Sequence, residues 1–314
     1  MYHQLKLFKG TCVLMACLAG AVVVSSAVAD GESRVRLAPV FAVTSFSGGK
    51  TFLGPQAVSV DAERGDIYVA DTNNGRIVVF NYNGQLVTSF NHHPRGRQSA
   101  EPVGVAVDKS GRVYVTDASS HLIYVYDLRG RLIDRMRPRA ADADALFGRM
   151  AVDTSGNLYV TVRNKGCVYV YGSTGALRFA LGGGNDKNRL EMPSDVAVDS
   201  QGRIYALSSL GTAVRVYDAK GNALFQFGKH AVGPENFAFP TAIDVDADGR
   251  IWITDSFADC IKVYTSMGAF VTNIGGLDLP VDVSVWPKEM RIFVLEKNAR
   301  RLSSYTVERG GSGP

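Results

Sequence analysis

The chain has 314 residues, with 34 Lys and Arg against 30 Asp and Glu, which gives a formal charge of +4 at pH 7. Such a small charge over this length excludes a generic nucleic-acid binder, because capture of phosphates requires a clear basic excess or a basic stripe. Hydrophobic residues make up 46% of the sequence, an ordinary share for a globular protein, so we expect a chain that is folded nearly throughout.

The first 29 residues have the features of a secretory signal peptide. Lys6 and Lys9 precede an apolar run over residues 11–24, and an Ala-Val-Ala cleavage site follows at residues 27–29. The run is shorter than the roughly 20 residues that a membrane-spanning helix needs, and no other apolar stretch comes close. We therefore expect an exported protein, periplasmic or extracellular, with no transmembrane segment.

A second interpretation of the same segment stays open, because the sequence LMAC ending at Cys17 resembles the lipobox of a bacterial lipoprotein. Processing at that site would anchor the chain through a lipid on Cys17. Removal of residues 1–29 would leave 285 residues and, since it takes away two lysines and no acid, a formal charge of +2. Cys167 and Cys260 would remain without a CxxC pair, which excludes a disulfide-built scaffold and a c-type cytochrome. They lie in non-adjacent repeats, so we expect two free thiols.

One pattern of short strands recurs six times along the chain. Each unit begins with an apolar strand of the type VSVD or VAVD. The last residues of these strands are spaced 47, 45, 46, 47 and 40 residues apart, a mean of 45: Asp61, Asp108, Asp153, Asp199, Asp246 and Trp286. Self-similarity at this period is typical of propeller blades.

Further strands, joined by glycine-containing turns, complete each unit. The second strands alternate Ile, Tyr and Val and end at Asp71, Asp117, Val162, Ser208, Asp255 and Glu296. The third strands end in an aromatic residue, at Phe80, Tyr126, Tyr171, Tyr217, Tyr264 and Tyr305. In five units a turn such as NYNG and a fourth strand such as LVTSF (residues 86–90) follow.

The sixth unit lacks a fourth strand, and the missing piece is expected from the other end of the chain. The sequence FAVTSF (residues 41–46) precedes the first unit and matches LVTSF closely. A ring that joins its two ends in this way removes the exposed edge of an open array. The prediction is an all-β, six-bladed β-propeller of four-stranded blades, a single domain over residues 30–308, followed by a flexible C-terminal tail over residues 309–314.

The units resemble NHL repeats, whose first strand follows a proline. Blade one reads GPQAVSVD, GDIYVADTNNGRIVVF and NYNGQLVTSF, and blades two, four and five begin with EPVGVAVD, MPSDVAVD and FPTAIDVD. The resemblance covers about residues 41–308, and blade three departs from it, with Phe147 in place of Pro and Val162 in place of Asp. It implies a propeller that binds another protein as a scaffold or adaptor, including in surface or redox assemblies of the bacterial envelope.

The innermost strands line the central channel, and the residues just before each VAVD-type motif include Arg149, Asp195 and Asp282. Asp244 stands in the strand itself, at a position filled elsewhere by Ser or Ala. Resemblance to gluconolactonase-like propellers, which hold a divalent ion with acids and an Asn, implies that these carboxylates could provide oxygen ligands. Arg149 could equally pair with Asp195. None of these positions is a His, which argues against a zinc lyase.

A second candidate metal site is the sequence DVDADGRIWITD over residues 244–255, which matches an EF-hand loop except for its final Asp. Its candidate ligands are Asp244, Asp246 and Asp248. The other blades have the same D-x-x-G turn as DKSG, DTSG and DSQG, where the acid is ordinary type I turn chemistry. We expect no resident cofactor, with Ca²⁺ or another divalent ion at these aspartates as the alternative.

The connections between blades contain a concentration of basic residues on both sides of blade two. Residues 91–101 also contain His92, and the candidate partner-binding residues are Arg95, Arg97, Arg135, Arg137 and Arg139. A face of long polar loops is a common binding surface of propellers. The leading hypothesis is therefore a secreted or periplasmic scaffold with a protein partner, either a monomer or a part of an envelope assembly. The alternative is a metal-dependent lactonase- or lyase-like enzyme with its site at the central channel.

Overall fold

The structure, a computed structural model, describes residues 35–92, 100–138, 142–183 and 189–309. The signal-peptide prediction, Cys17 and residues 310–314 of the predicted tail lie outside the described residues. The described chain forms six antiparallel sheets of four strands, arranged as blades around a ring, and one additional two-stranded hairpin. The predicted six-bladed β-propeller is thereby confirmed.

Blades one to three each contain four consecutive strands, numbered from the channel outwards. Blade one comprises β4 (Ala57–Val60), β5 (Ile67–Asp71), β6 (Arg76–Phe80) and β7 (Leu86–Asn91). Blade two comprises β8 (Pro102–Val107), β9 (Val113–Asp117), β10 (Ile123–Tyr126) and β11 (Leu132–Met136). Blade three comprises β12 (Phe147–Val152), β13 (Leu158–Val162), β14 (Cys167–Tyr171) and β15 (Leu177–Gly182).

Blades four and five repeat this order, and blade six combines both ends of the chain. Blade four comprises β16 (Pro193–Val198), β17 (Ile204–Ser208), β18 (Val214–Tyr217) and β19 (Ala223–Phe227). Blade five comprises β20 (Pro240–Val245), β21 (Ile251–Asp255), β22 (Cys260–Tyr264) and β23 (Phe270–Gly275). Blade six comprises β24 (Pro280–Trp286), β25 (Arg291–Glu296), β26 (Arg301–Arg309) and, outermost, β1 (Val35–Val43). Among the described residues, single turns of 3₁₀ helix follow three second strands, at Thr72–Asn74, Arg163–Lys165 and Ser256–Ala258, and one first strand, at Pro287–Glu289.

The N-terminal strand closes the ring, as the sequence predicts, but its bounds differ from the prediction. β1 pairs antiparallel with β26 along its length and ends at Val43, not at Phe46. Ser45–Phe46 (β2) instead forms a hairpin with Lys50–Thr51 (β3). The likeness of FAVTSF to LVTSF placed the strand too late, because the Phe46 ring packs beneath blade one, 5.5 Å from the Phe80 ring centroid.

The hydrophobic core consists of layers between neighbouring blades. The inner strand of every blade contacts the inner strands on both sides, and the contact of β24 with β4 completes the circle. The layer between blades five and six, for example, combines Trp252 and Ile261 with Val283 and Ile292, all essentially buried. Since each blade is covered on both faces, its second and third strands are apolar along nearly their whole length.

A repeated turn joins the first and second strands and explains the Asp at the end of each VAVD motif. In blade two, Asp108 accepts the main-chain N–H and the Nε of Arg112, at 2.9 and 2.6 Å. Gly111 has φ +84°, in the left-handed region that favours glycine. Blade six has Trp286 instead, whose Nε1 donates to the Ala62 carbonyl of blade one at 3.0 Å. This bond joins the last blade to the first.

Two further predictions can be placed on this fold. Cys167 and Cys260 begin the third strands of blades three and five, and both are buried free thiols. Burial raises the pKa of each thiol to about 11. Within the described ranges, no helix is long and apolar enough to cross a membrane.

Candidate functional site

The six inner strands enclose a central channel with a cavity of about 550 Å³. Its wall contains one valine from each blade: Val60, Val107, Val152, Val198, Val245 and Val285. The wall continues to exposed residues of the turns between first and second strands, such as Ala62 and Ser200, so the cavity opens on this side, the turn face. The opposite side, the loop face, is formed by the connections between blades and by the turns between second and third strands.

Arg149 of blade three crosses the channel near its loop-face end. Its Nη2 donates to the carbonyls of Gln56 at 2.6 Å and Val281 at 2.7 Å, and its Nη1 donates to the Thr241 carbonyl. The Nε also donates to the Gln56 carbonyl, at 3.2 Å, and lies 3.7 Å from Asp282 Oδ2. These acceptors belong to blades one, five and six. A single side chain therefore links blade three to the three blades on the other side of the channel.

Three aspartates of the channel link neighbouring inner strands. In each, one carboxylate oxygen accepts the N–H of the following residue at 2.8–2.9 Å, and the other accepts an N–H from the next blade. The inter-blade bonds join blade four to five, five to six and six to one: Asp195 to Ile243 (3.0 Å), Asp244 to Val285 (2.7 Å) and Asp282 to Val58 (2.7 Å). Both oxygens of each carboxylate are thus occupied by main-chain donors.

Burial raises the pKa of all three carboxyl groups. Burial raises the pKa of Asp244 to about 7 and that of Asp282 to about 6. Burial, with the nearby charge of Asp282, raises the pKa of Asp195 well above its usual range. The guanidinium of Arg149 acts in the opposite direction on Asp195 and Asp282. These groups hold a proton more readily than exposed aspartates do.

The arrangement does not fit a divalent-ion site of the kind considered from the sequence. A Ca²⁺ site requires several oxygen ligands that converge on one point. Among the described residues, no three His, Cys, Asp or Glu side chains are grouped so that they could hold a metal. Asp195, Asp244 and Asp282 stand on three different blades, and each already accepts two main-chain N–H groups. Arg149, which the sequence allows as a partner of Asp195, forms an ion pair with Asp282, with its Nε 3.7 Å from Oδ2.

The EF-hand-like segment is also used by the fold. Asp246 Oδ1 accepts the N–H groups of Asp248 and Arg250, at 2.9 and 2.8 Å, and its Oδ2 accepts the Nε1 of Trp252 at 3.0 Å. Asp248 accepts the Nη1 of Arg250 at 2.7 Å. Asp244 lies in the preceding strand and accepts the N–H of Val285 in the neighbouring blade. The segment therefore has the same turn geometry as its counterparts in the other blades.

The basic patch predicted beside blade two is described only in part. Arg95, Arg97 and Arg139 lie outside the described residues. Arg137 is exposed at the end of β11, and the half-buried guanidinium of Arg135 lies 6.0 Å from the ring centroid of Tyr124. Arg135 and Arg137 therefore stand on the outer edge of blade two, next to the loop face.

His92, which the sequence places in the same loop, is fully buried. Its Nδ1 lies 2.7 Å from the Tyr126 hydroxyl, and its Nε2 lies 3.4 Å from Asp117 Oδ2. Asp117 in turn accepts the N–H of Glu101 at 2.7 Å, which holds the connection into blade two. This histidine is therefore a buried contact beneath the loop and is not part of the exposed surface.

A group of exposed apolar side chains on the loop face was not predicted from the sequence. The large apolar residues exposed there among the described residues are Leu53, Met192, Leu210, Val232 and Phe257. Four of the five belong to the connections and turns of blades four and five. Comparison of equivalent repeat positions, and not only of the motifs that the blades share, would have found them.

The fold and the repeated turns define the chain as a closed six-bladed β-propeller with short sequence repeats. Residues 52–80 and 100–126 match the model of the NHL repeat. The chain is also 30% identical over 180 residues to Protein brain tumor of Drosophila melanogaster, a match that covers 56% of this chain and 12% of that protein. Two of the six blades thus match the NHL-repeat model, and the chain spans about an eighth of the length of this relative.

Solved structures of similar fold include enzymes. A gluconolactonase from Xanthomonas campestris superposes with a TM-score of 0.64 at 15% identity, over 87% of this chain and 90% of that chain. A virginiamycin B lyase from Staphylococcus aureus superposes with a TM-score of 0.59 at 13% identity, over 88% of this chain and 99% of that chain. At these identities the likeness concerns the fold alone.

Proposed function

We propose that this chain is an exported NHL-repeat propeller that binds another protein through its loop face and acts as a scaffold or adaptor. The observation that supports this function most directly is that the charged side chains of the channel form hydrogen bonds within the fold. Arg149 and the three channel aspartates all bond to the main chain of other blades, so the charged groups at the centre of the ring hold the ring together.

The loop face differs from the channel in that its side chains project from the fold. Leu210 and Phe257 are exposed on turns that are bonded to the next blade, and Arg137 is exposed at the end of β11. Ser256, for example, donates from its hydroxyl to the Pro280 carbonyl at 2.6 Å. Side chains presented from a rigid scaffold lose little entropy when a partner binds, which favours this face as the binding surface.

Export is part of the proposal because residues 1–29 have the pattern of a signal peptide. The intact mass of the protein isolated from the native envelope tests it. We expect a chain that begins at Asp30. A chain that retains residues 1–29 would contradict export by this route, and a lipid on Cys17 would replace it with anchoring.

Affinity capture from the native envelope tests the binding function. The tagged protein is compared with a variant that carries Arg135→Glu and Arg137→Glu, and the captured proteins are quantified by mass spectrometry. We expect a specific partner that is depleted in the variant. The matched control is Arg131→Glu, an exposed arginine in the turn at the other end of the same blade, which should retain the partner. Equal recovery with both variants would remove the basic patch from the binding surface, and recovery of no specific partner with the wild type would contradict the scaffold function.

The alternative function, a metal-dependent lactonase- or lyase-like activity at the channel, has a separate test. Metal analysis of the purified protein would show a stoichiometric divalent ion if the channel or the segment from Asp244 to Asp248 held one. Loss of that ion on Asp244→Ser would locate it. Such a result would overturn the scaffold interpretation in favour of an enzyme.

A further inference from the structure

One repeat position distinguishes blades four and five from the rest of the ring. It is the second residue after the second strand, in the turn that faces the loop side. In blades one, two, three and six this residue is polar: Asn73, Ser119, Asn164 and Asn298. In blades four and five it is a large apolar residue, Leu210 and Phe257. Leu210 is 47% exposed and Phe257 is 70% exposed. The turn of blade five has the same 3₁₀ form as those of blades one and three, and the turn of blade four has the same five-residue length as that of blade two. Neither apolar side chain is therefore needed to form its turn.

Hydrogen bonds join the segments that contain these two residues. The N–H of Ser209 donates to the Met192 carbonyl at 3.0 Å, which places Leu210 beside Met192. The hydroxyl of Ser209 donates to the Pro240 carbonyl at 2.7 Å, which brings the same turn against the residues that begin blade five. Phe239 precedes Pro240 there. We call Met192, Leu210, Phe239 and Phe257 the rim patch, because Pro193 and Pro240 begin inner strands at the mouth of the channel.

The aromatic pair at the blade-five end of the rim patch is fixed in place. The rings of Phe239 and Phe257 are stacked, with centroids 4.7 Å apart and an interplanar angle of 19°. The N–H of Phe239 donates to Asp255 Oδ1 at 2.7 Å, and its carbonyl accepts the N–H of Ser256 at 3.0 Å. A fixed aromatic surface that remains exposed is a feature of binding hot spots.

The main chain at Met192 adds an independent observation. Its φ is +53°, a left-handed conformation that is uncommon for a residue with a side chain, and this side chain is 53% exposed. In blade one the equivalent position is Gly54, which adopts such a conformation without a steric cost. Leu279, before Pro280 of blade six, adopts the same conformation with φ +52°, so the left-handed residue belongs to the repeat. What distinguishes Met192 is that it presents an exposed methionine there.

The charges next to the rim patch indicate the chemistry of its partner. Glu191 is exposed and adjoins Leu210, whose N–H donates to the Glu191 carbonyl at 3.3 Å. Asp259 is exposed two residues after Phe257. The nearest basic residue in sequence, Arg189, turns away and donates to the Asn164 carbonyl of blade three. The apolar surface is thus bordered by a carboxylate at each end.

We propose that the rim patch binds an apolar side chain, aromatic or aliphatic, of an extended segment of a partner protein, with Lys or Arg beside this side chain in the segment. The inference rests on the proposed scaffold function and specifies where the partner binds and what it presents. Apolar contact supplies the affinity, and pairing of the basic residues with Glu191 and Asp259 sets the position of the segment.

The experiment uses the full chain as purified from its native host and a phage-displayed library of random linear peptides as the probe. We expect the selected peptides to share an apolar residue next to Lys or Arg. Binding of a selected peptide, followed by fluorescence anisotropy, should weaken about tenfold or more on Phe257→Ser or Leu210→Ser, because both remove an anchor of the contact. Replacement of Glu191 and Asp259 by Lys should reverse the preference from basic to acidic peptides.

Met267→Ser is the matched control. Met267 is 67% exposed and also lies in a turn of blade five, but on the turn face. Its substitution should leave peptide affinity unchanged. Peptides that bind the Phe257→Ser and Leu210→Ser variants as well as the wild type would overturn the inference, and so would a library that yields no peptide.

The outcome separates this inference from the function on which it rests. A native partner captured equally well by the wild type and by the Phe257→Ser variant would retain the scaffold function and refute the rim patch. Capture of no specific partner by the wild type would refute the scaffold function, whatever the peptides do.

Discussion

The two halves of the channel are held together by different means, although the same repeat forms both. From blade four through six to one, carboxylates bond to the main chain of the next blade, as Asp282 does to Val58. Between blades two and three the contact is made by close approach, since Thr116 donates to the Gly148 carbonyl at 2.7 Å and Gly104 leaves room for it. The strand arrangement that the blades share therefore does not determine which side chains join neighbouring blades around the channel. Carboxylates link the blades in one half, small residues allow the blades to approach closely in the other, and Arg149 connects the two.

The largest effect is expected where the two halves meet. Arg149→Met retains much of the side-chain volume but removes the guanidinium that bonds to carbonyls of blades one, five and six. It also leaves Asp282 buried without its cation. We expect a loss of about 3–5 kcal/mol in the free energy of unfolding, since removal of one partner of a buried pair leaves an uncompensated charge. Urea denaturation followed by fluorescence measures it.

Arg131→Met is the matched control for this substitution. Arg131 also pairs with an aspartate, but its side chain is 71% exposed at the surface of blade two. Its loss should leave the free energy of unfolding almost unchanged. Comparable effects of the two substitutions would show that Arg149 does not connect the halves of the channel.

A substitution at Gly104 tests the half of the ring in which blades two and three approach each other closely. A Cβ at this position would lie 2.6 Å from Thr116 Oγ1 and 2.7 Å from the Gly148 carbonyl oxygen. Gly104→Ala should therefore push blades two and three apart and reduce the free energy of unfolding by about 1–3 kcal/mol. Gly275→Ala is the control, because a Cβ there meets no atom within 4 Å. Equal stability of the two variants, measured by thermal unfolding, would mean that this half does not depend on close approach.

The sequence predicted the architecture because the architecture depends on features that every blade repeats. The Asp of each VAVD motif, the glycine of the following turn and the alternating apolar strands recur at a fixed spacing, so errors in one copy are corrected by the others. The sequence also predicted that an N-terminal strand closes the ring, but the residues of that strand, Val35–Val43, differ from the predicted ones. Phe46 resembles Phe90 in sequence, but it packs under blade one, a tertiary contact that strand propensity does not encode.

The site was less predictable because it depends on residues that the blades do not share. Arg149, Asp195 and Asp282 were recognised as channel residues, but their partners are main-chain groups on other blades, which a sequence does not show. A carboxylate available for a metal and a carboxylate that accepts two N–H groups look the same in sequence. Leu210 and Phe257 were visible as apolar residues at polar repeat positions, and only their exposure distinguishes a binding surface from a core.

The carboxylate links should make the free energy of unfolding depend on pH, whereas the close contacts in the other half should not. Burial raises the pKa of Asp244 from its ordinary value of 3.8 to about 7. Between these values the unfolded chain releases its proton while the folded protein retains it, so the folded state binds more protons and the free energy of unfolding falls as the pH rises. Below this window both states are protonated, and above it both are ionised. Asp282, whose pKa burial raises to about 6, changes stability in the same direction.

Asp244→Ser isolates this contribution with little other change. Blades one and six have Ser59 and Ser284 at the equivalent position, and the Ser284 hydroxyl accepts the Val60 N–H across the junction at 3.1 Å. A serine at 244 should therefore keep an acceptor for Val285 while removing the titrating group. We expect the variant to lose less stability than the wild type as the pH rises from about 4 to about 7. Thermal unfolding across this window measures both slopes. If the two proteins lose stability in parallel, Asp244 does not hold a proton in the folded state, and the contrast between the halves of the channel is one of geometry alone.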